Sequence, residues 1–230
     1  TTGEILIDRI VQSSTGTEFL YCANGTELSY TSNPLAGTPT WASAFTSGTT
    51  ITSFTSDGQY IYVSSSGATL PERFTIGTAT GSWPGSAEDV NLISIAAGRL
   101  IGAKNNSIYE LDANGAKATS SLDYGLPLSN SEWVDIETCP NGIYAAANTD
   151  HTGTVYHIGV TAADGTLQTP VIAGALPRNE SINSMLAYGP VLCLATSQGL
   201  RTALVDVQSG GMTIGPVIDT GGEAYSLEAD

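Results

Sequence analysis

Residues 51–67 read ITSFTSDGQYIYVSSSG, and the rest of the chain is organised around copies of this stretch. A short strand-like run of apolar residues interspersed with Thr and Ser reaches Ser56, the pair Asp57-Gly58 follows, and a second strand-like run opens at Tyr60. Asp-Gly between two alternating runs signals a β-hairpin, because the turn needs positive φ at its centre. Comparable turn glycines stand at Gly16, Gly98, Gly142 and Gly189. The spacing is about 40–47 residues, the length of a propeller-type repeat. The expected fold is all-β: a β-propeller of about five four-stranded blades, each of about 43 residues.

Composition agrees with that reading. The chain has 230 residues, 26 of them glycine, and only 13% charged side chains, which suits many short strands joined by turns. No window carries a sustained apolar i, i+3, i+4, i+7 pattern, so helices are not expected. The formal net charge is −15, with seven basic residues against twenty-two acidic ones. Such a surface repels phosphate backbones and anionic lipid heads, which argues against nucleic-acid binding. No apolar run is long enough to span a bilayer as a helix, and no signal peptide is visible.

Along the chain the blades are expected at 1–50, 51–89, 90–133, 134–181 and 182–223. The fourth strand of the first blade is placed at Trp41–Phe45, and the second blade closes at Ser82–Gly85. Trp41 and Trp83 then lie one repeat apart and read as last-strand packing residues. The outer strand of the fifth blade is placed at Pro216–Ile218. Residues 224–230, AYSLEAD, align with 51–57, so the sequence stops where the next turn glycine is due. They are expected to start a further blade of a longer array, or to close a ring against the first blade.

Motifs for catalysis are scarce. There is no G-x-S-x-G elbow, H-E-x-x-H, Walker loop or dinucleotide-binding G-x-G-x-x-G unit. His151 and His157 lack a cysteine or carboxylate at metal-ligand spacing, and they read as a turn residue and a strand-face residue. Cys22, Cys139 and Cys193 are an odd, widely spaced set, which fits buried thiols better than a disulfide framework or a zinc site. Asp112-Ala-Asn-Gly115 has part of a calcium-loop spacing but no distal glutamate. Asn24, Asn105 and Asn179 fit the N-glycosylation pattern, which matters only in a eukaryotic secretory setting.

Glycosidases include propellers, so acid pairs were weighed. Asp135 and Glu137 share a strand face, with Glu132 nearby, as a two-carboxylate mechanism permits. Solvated edge charges explain them as well. Gly37-Thr-Pro-Thr-Trp41 is a faint echo of a sialidase Asp-box without its aspartate, and Arg9, Arg73, Arg99, Arg178 and Arg201 sit in non-equivalent settings. For stacking on a sugar face the candidates are Tyr124, which nothing repeats, and then Trp133, which also reads as core. No catalytic, metal or cofactor site is expected.

The run Leu186-Ala-Tyr-Gly-Pro-Val-Leu-Cys-Leu-Ala-Thr-Ser-Gln-Gly-Leu-Arg201, with Gly211 and Ile214-Gly-Pro-Val-Ile218 after it, resembles the β-propeller minor tail proteins of tailed phages that infect actinobacteria. In that family a strand ends in a Gly-Thr-Ser-x-Gly-x-Arg pattern, and a Tyr-Gly-Pro with two aliphatic residues follows. Here Ala195 replaces the first glycine and Ile214 the tyrosine. The likeness covers about the last fifty residues; before them only the repeat and the composition agree. It implies a virion component at the tail tip or tail fibre, multicopy, partnered by other tail proteins and without catalysis. Contact with host cell-wall glycan is a further expectation. The alternatives are a secreted lectin, which predicts matching aromatic sites in every repeat, and a glycosidase, which predicts clustered acids at a channel mouth.

Overall fold

A computed structural model describes residues 5–67, 70–79, 81, 83, 87–119, 121–150 and 152–227. The described residues form strands and turns and no helix. Consecutive strands pair antiparallel into sheets. The first sheet is β1 (Ile5–Val11), β2 (Glu18–Asn24), β3 (Glu27–Thr31) and β4 (Ala42–Thr46). The second is β5 (Ile51–Ser56), β6 (Tyr60–Ser65) and β7 (Glu72–Thr75), three strands among the described residues. The third is β8 (Leu92–Ala96), β9 (Arg99–Lys104), β10 (Ser107–Glu110) and β11 (Asp123–Gly125). The fourth is β12 (Glu132–Cys139), β13 (Gly142–Thr149), β14 (Thr152–Ile158) and β15 (Val171–Ala175), and the fifth is β16 (Ile182–Tyr188), β17 (Val191–Thr196), β18 (Gly199–Val205) and β19 (Met212–Ile214).

The chain divides into two compact units, residues 1–102 with 111–117, and residues 103–110 with 118–230. In the first unit, Ile10, Phe19, Tyr21, Ala23 and Leu28 of the first sheet pack on Ile51, Ile61, Val63, Phe74 and Ile76. In the second unit, Tyr144, Ala146 and Val155 of the fourth sheet pack on Ile182, Met185, Leu192, Leu194 and Ala203. These are the same positions of the same strands. Inner strands therefore bury both faces, and runs such as Val191-Leu-Cys-Leu-Ala195 lose the polar alternation of a half-exposed strand.

The Asp57-Gly58 turn shows why this stretch repeats. Asp57 Oδ1 accepts the backbone N–H groups of Gln59 (2.8 Å) and Tyr60 (2.7 Å), which closes the turn locally. Gly58 has φ of 83°, and its carbonyl accepts the Ser13 N–H at 2.7 Å from the turn between β1 and β2. Gly16, Gly98 and Gly189 also have positive φ, at 69°, 70° and 58°.

Several expectations are corrected in detail. Gly142 lies outside its turn: Cys139 pairs with Gly142 across Pro140-Asn141, and Gly142 opens β13 with φ of 148°. Ser82, Pro84 and Gly85 lie outside the described residues, and Trp83 is in no strand. Trp41 precedes β4 and is 44% exposed, whereas Trp83 is buried, so only one of the pair packs. The third sheet ends with β11, and β12 already begins at Glu132, so a boundary at residue 133 falls inside a strand. The outer strand of the fifth sheet is β19; Ile218 makes only an isolated bridge to Leu200. Residues 224–227 form no strand, although the Ala224 N–H donates to the Thr196 carbonyl at 3.0 Å, as Ile51 does to Gly25 at 2.8 Å.

Gly58 and Gly98 allow a test of the repeat turn. A Cβ at Gly98 meets nothing within 4 Å, so Gly98→Ala reads backbone strain alone, whereas at Gly58 a Cβ also meets Ser13 at 3.4 Å. Each substitution is expected to lower unfolding free energy by about 1–2 kcal/mol in denaturant titration, Gly58→Ala by at least as much as Gly98→Ala.

Candidate functional site

The first strand of a sheet is where polar side chains meet the next sheet, and a β-bulge sets this up. β5, β12 and β16 each carry a register shift near their start, at Ile51/Ser53, Trp133/Asp135 and Ile182/Ser184. The extra residue re-aims the side chain that follows it. Ser53 Oγ accepts the Ile93 N–H at 2.7 Å, on the first strand of the third sheet. Asp135 Oδ2 accepts the Met185 N–H at 2.5 Å, on the first strand of the fifth.

Asp135 was one of the candidate acids, and its surroundings explain it. Oδ1 accepts the Ile136 N–H at 2.8 Å, and the Ser184 hydroxyl also reaches the carboxyl group. Burial raises its pKa, and the three hydrogen bonds oppose that rise. Glu132 is exposed and Glu137 half-buried on the same strand. The Asp135 carboxyl group is thus engaged in a joint between sheets.

His157 is also engaged. Its Nε2–H donates to the Asn141 carbonyl at 3.2 Å, the tautomer being set by that partner, and its ring lies 5.0 Å from that of Tyr144. A Cβ built at Gly210 would come within 2.1 Å of Nδ1, so the ring fills space that this glycine leaves. His151 lies outside the described residues. No group of three His, Cys, Asp or Glu side chains among the described residues is placed to hold a metal ion.

Of the stacking candidates, Trp133 is 3% exposed, its Nε1–H donates to the Asn106 carbonyl at 2.9 Å, and its ring meets Tyr156 edge-on at 5.2 Å. Its faces belong to the core, which corrects the ligand-platform reading. Tyr124 is on the edge strand β11, opposite Ile108, and is partly exposed. The two residues do not form a common exposed platform. The larger exposed aromatics are Trp41, Tyr188 and Tyr225, none of which the sequence reading chose for binding. A pattern search misses them because nothing in the periodicity distinguishes an exposed turn tyrosine from a buried one.

The cysteines also differ from expectation. Cys139 is buried, and burial together with Glu137 pushes its thiol up to about 11, whereas Cys22 and Cys193 are only half-buried.

The densest polar cluster was not foreseen. Glu180, between β15 and β16, is 2% exposed. Its carboxylate takes a two-point contact from Arg201, Nε at 2.8 Å and Nη2 at 2.7 Å. The Thr196 hydroxyl donates to Oε1 at 2.7 Å, and Arg201 Nη1 donates to the Gly215 carbonyl at 2.7 Å. Thr196, Gly199 and Arg201 are the marked residues of the Thr-Ser-x-Gly-x-Arg run, and Gly215 belongs to the Gly-Pro that follows it. The guanidinium, before the other partners, holds the Glu180 carboxyl below the usual glutamate range. A Thr152–Glu180 bridge and the Gly153 N–H to the Glu180 carbonyl, at 2.7 Å, fix the backbone there to β14. The motif locks the fourth sheet to the fifth.

Arg9 pairs with Glu18 at 2.6 Å, Arg73 lies over the Tyr60 ring at 4.5 Å, and Arg201 is held by Glu180.

No protein-family model matches the chain, and no curated protein matches it. Solved structures do. The chain is similar to a protein assigned as a 6-phosphogluconolactonase from Bacteroides fragilis, with TM-score 0.62 at 14% identity over 94% of this chain and 71% of that one. It is similar to a chain of a nidogen/laminin complex, with TM-score 0.59 at 14% identity over 90% of this chain and 80% of that one. A chain of the mitotic checkpoint complex gives TM-score 0.53 at 10% identity, covering 98% and 88%. The likeness is of fold alone. It supports a β-propeller-like repeat fold, on which unrelated functions are built.

The Glu180–Arg201 pair gives two expected outcomes. Arg201→Met or Glu180→Gln alone should cost about 3–5 kcal/mol, since each leaves a buried charge uncompensated, while the double variant should cost well under the sum in a denaturation cycle. Because the folded Glu180 pKa lies below its unfolded value, its contribution is present above the ordinary glutamate range and is lost as pH falls through the folded value. Stability followed by circular dichroism should therefore drop more on acidification in the parent than in Glu180→Gln.

Proposed function

We propose that this chain is a non-enzymatic structural component of a phage tail, a minor tail or tail-tip protein, built as a β-propeller of about five four-stranded blades. It stands in the virion in several copies beside other tail proteins and contributes to attachment at the host cell surface. The observation that carries this reading is the use made of the chain's reactive side chains. Asp135, His157, Glu180, Arg201 and Trp133 are each engaged in holding strands and sheets together. Such a distribution suits a scaffold. The Thr196–Arg201 run, which carries the resemblance to phage tail proteins, is one of these joints. The strongly acidic surface keeps a protein soluble at the high local density of a multicopy assembly.

Adhesion would fall to the outer strands and turns, where Tyr124 has a partly exposed ring on an edge strand.

Cryo-electron microscopy of particles whose genome encodes the chain should place it at the tail tip in several copies. A soluble, unassembled protein that cleaves a glycan would overturn the assignment. In a cell-wall pulldown, Tyr124→Ala is expected to lower retention severalfold with stability changed by less than about 0.5 kcal/mol. Unchanged retention would move adhesion away from β11.

A further inference from the structure

The chain holds five Asx-Gly pairs: Asn24-Gly25, Asp57-Gly58, Asn114-Gly115, Asn141-Gly142 and Asp164-Gly165. In each, a side-chain carbonyl carbon stands next to a backbone nitrogen that glycine, having no side chain, leaves unshielded, so a five-membered imide can close. Folding withdraws four of them. Asp57 accepts the Gln59 and Tyr60 N–H groups and the Tyr62 hydroxyl, and the Gly58 N–H donates to Ser56 Oγ at 3.0 Å. The Gly115 N–H donates to the Asp112 carbonyl at 3.0 Å, and the Gly165 N–H to the Thr161 carbonyl at 2.8 Å. Asn141 accepts from the Tyr144 hydroxyl at 3.2 Å and donates to the Asp206 carbonyl at 3.5 Å. Asn24 is the exception. It is exposed, its amide makes no hydrogen bond among the described residues, and neither does the Gly25 N–H. Asn24 pairs with Glu27 across the Gly25-Thr26 turn, where Gly25 has φ of 61°. Only that end rung of the β2–β3 hairpin must open for the following peptide to turn toward the Asn24 side chain.

We propose that Asn24 is the chain's site of spontaneous deamidation, and that its isoaspartyl product loosens the tie between the first and second sheets. The Gly25 nitrogen attacks Asn24 Cγ and gives up its proton to water. The new C–N bond closes a succinimide as the Cγ–Nδ2 bond breaks and ammonia leaves. Water then opens the ring. Addition at the side-chain carbonyl gives aspartate, and addition at the main-chain carbonyl gives isoaspartate, whose backbone runs through the side-chain methylene. The place of the turn makes this matter. The Gly25 carbonyl accepts the Ile51 N–H and the Thr26 carbonyl the Ser47 N–H, both at 2.8 Å, so the turn holds the segment that joins β4 to β5. An extra backbone atom beside a two-residue hairpin loop displaces both carbonyls. Aspartate keeps the backbone and only sets a charge opposite Glu27. The inference stands apart from the tail assignment.

Peptide mapping by mass spectrometry tests it, on the full chain made in a host that does not N-glycosylate and then held in warm, mildly alkaline buffer. The folded chain should convert at Asn24 severalfold faster than at Asn114 or Asn141, giving both aspartyl and isoaspartyl peptides. In urea the three asparagines should convert at similar rates, because the fold no longer separates them. Asn24→Gln should abolish the early release of ammonia, since the longer side chain closes its ring far more slowly. In the isoaspartyl fraction the Ile51 and Ser47 amides should exchange hydrogen severalfold faster, while the Ile93 amide, held by Ser53, should not change. Asn24→Asp should leave Ile51 protected. An Asn24 that stays intact, or folded-state conversion at Asn114 or Asn141 that matches it, overturns the inference, and so does the same preference for Asn24 in urea. Unchanged exchange at Ile51 in the isoaspartyl chain overturns the loosening.

Discussion

A four-stranded sheet with two apolar faces cannot stand in water by itself, and the rest of this structure follows from how each face is covered. Packing alone is tolerant of sliding, since one greasy face fits another in several registers. The bulge near the start of β5, β12 and β16 removes that freedom. It turns a short polar side chain out of the strand and onto a backbone N–H of the neighbour, as Ser53 does to Ile93 and Asp135 to Met185. A buried hydrogen bond adds little net stability but is costly to leave unmade, so it selects one register. Asn148 does the same with both atoms of its amide, accepting from and donating to the backbone of Ile182 at 2.9 and 2.7 Å.

This explains why several side chains with chemical potential are taken up in the joints between sheets. An aspartate between two apolar sheets has a shifted pKa, which elsewhere would point to an acid or base. Here the shift comes from burial, and the oxygens are occupied by backbone donors of the adjoining sheet. The arginine of the Thr-Ser-x-Gly-x-Arg run is likewise turned inward. Motif residues that look functional in a repeat protein are first of all candidates for the joints between repeats.

The repeat was legible because its turns are chemically strict. Positive φ at Gly16, Gly58, Gly98 and Gly189 restricts the residue type, and the period can be read from those positions. Where the turn is closed by Pro140-Asn141, the glycine slips to the start of β13, one residue past the turn where the period alone places it. Outer strands were less legible. β11 is three residues long and β19 is Met-Thr-Ile, too short for alternation to register, so Pro216–Ile218 took its place in the reading. Tryptophan misled for another reason. A large aromatic ring is as suitable for a core as for a sugar platform, and only the Asn106 carbonyl waiting for its N–H decides that Trp133 is inside. The Glu180 lock was invisible because its two halves are separated in sequence and only folding brings them together.

That separation has a consequence for descent. Glu180 and Arg201 are 21 positions apart, on opposite sides of a hairpin, yet neither is tolerable without the other once water is excluded. A lineage cannot exchange one of them in a single neutral step. It must either pass through a crippled intermediate or first loosen the loop so that solvent reaches the survivor. Among homologous chains the two columns should therefore change together or stay unchanged, and a chain that keeps the arginine while losing its acid should have rebuilt the whole passage between its fourth and fifth sheets.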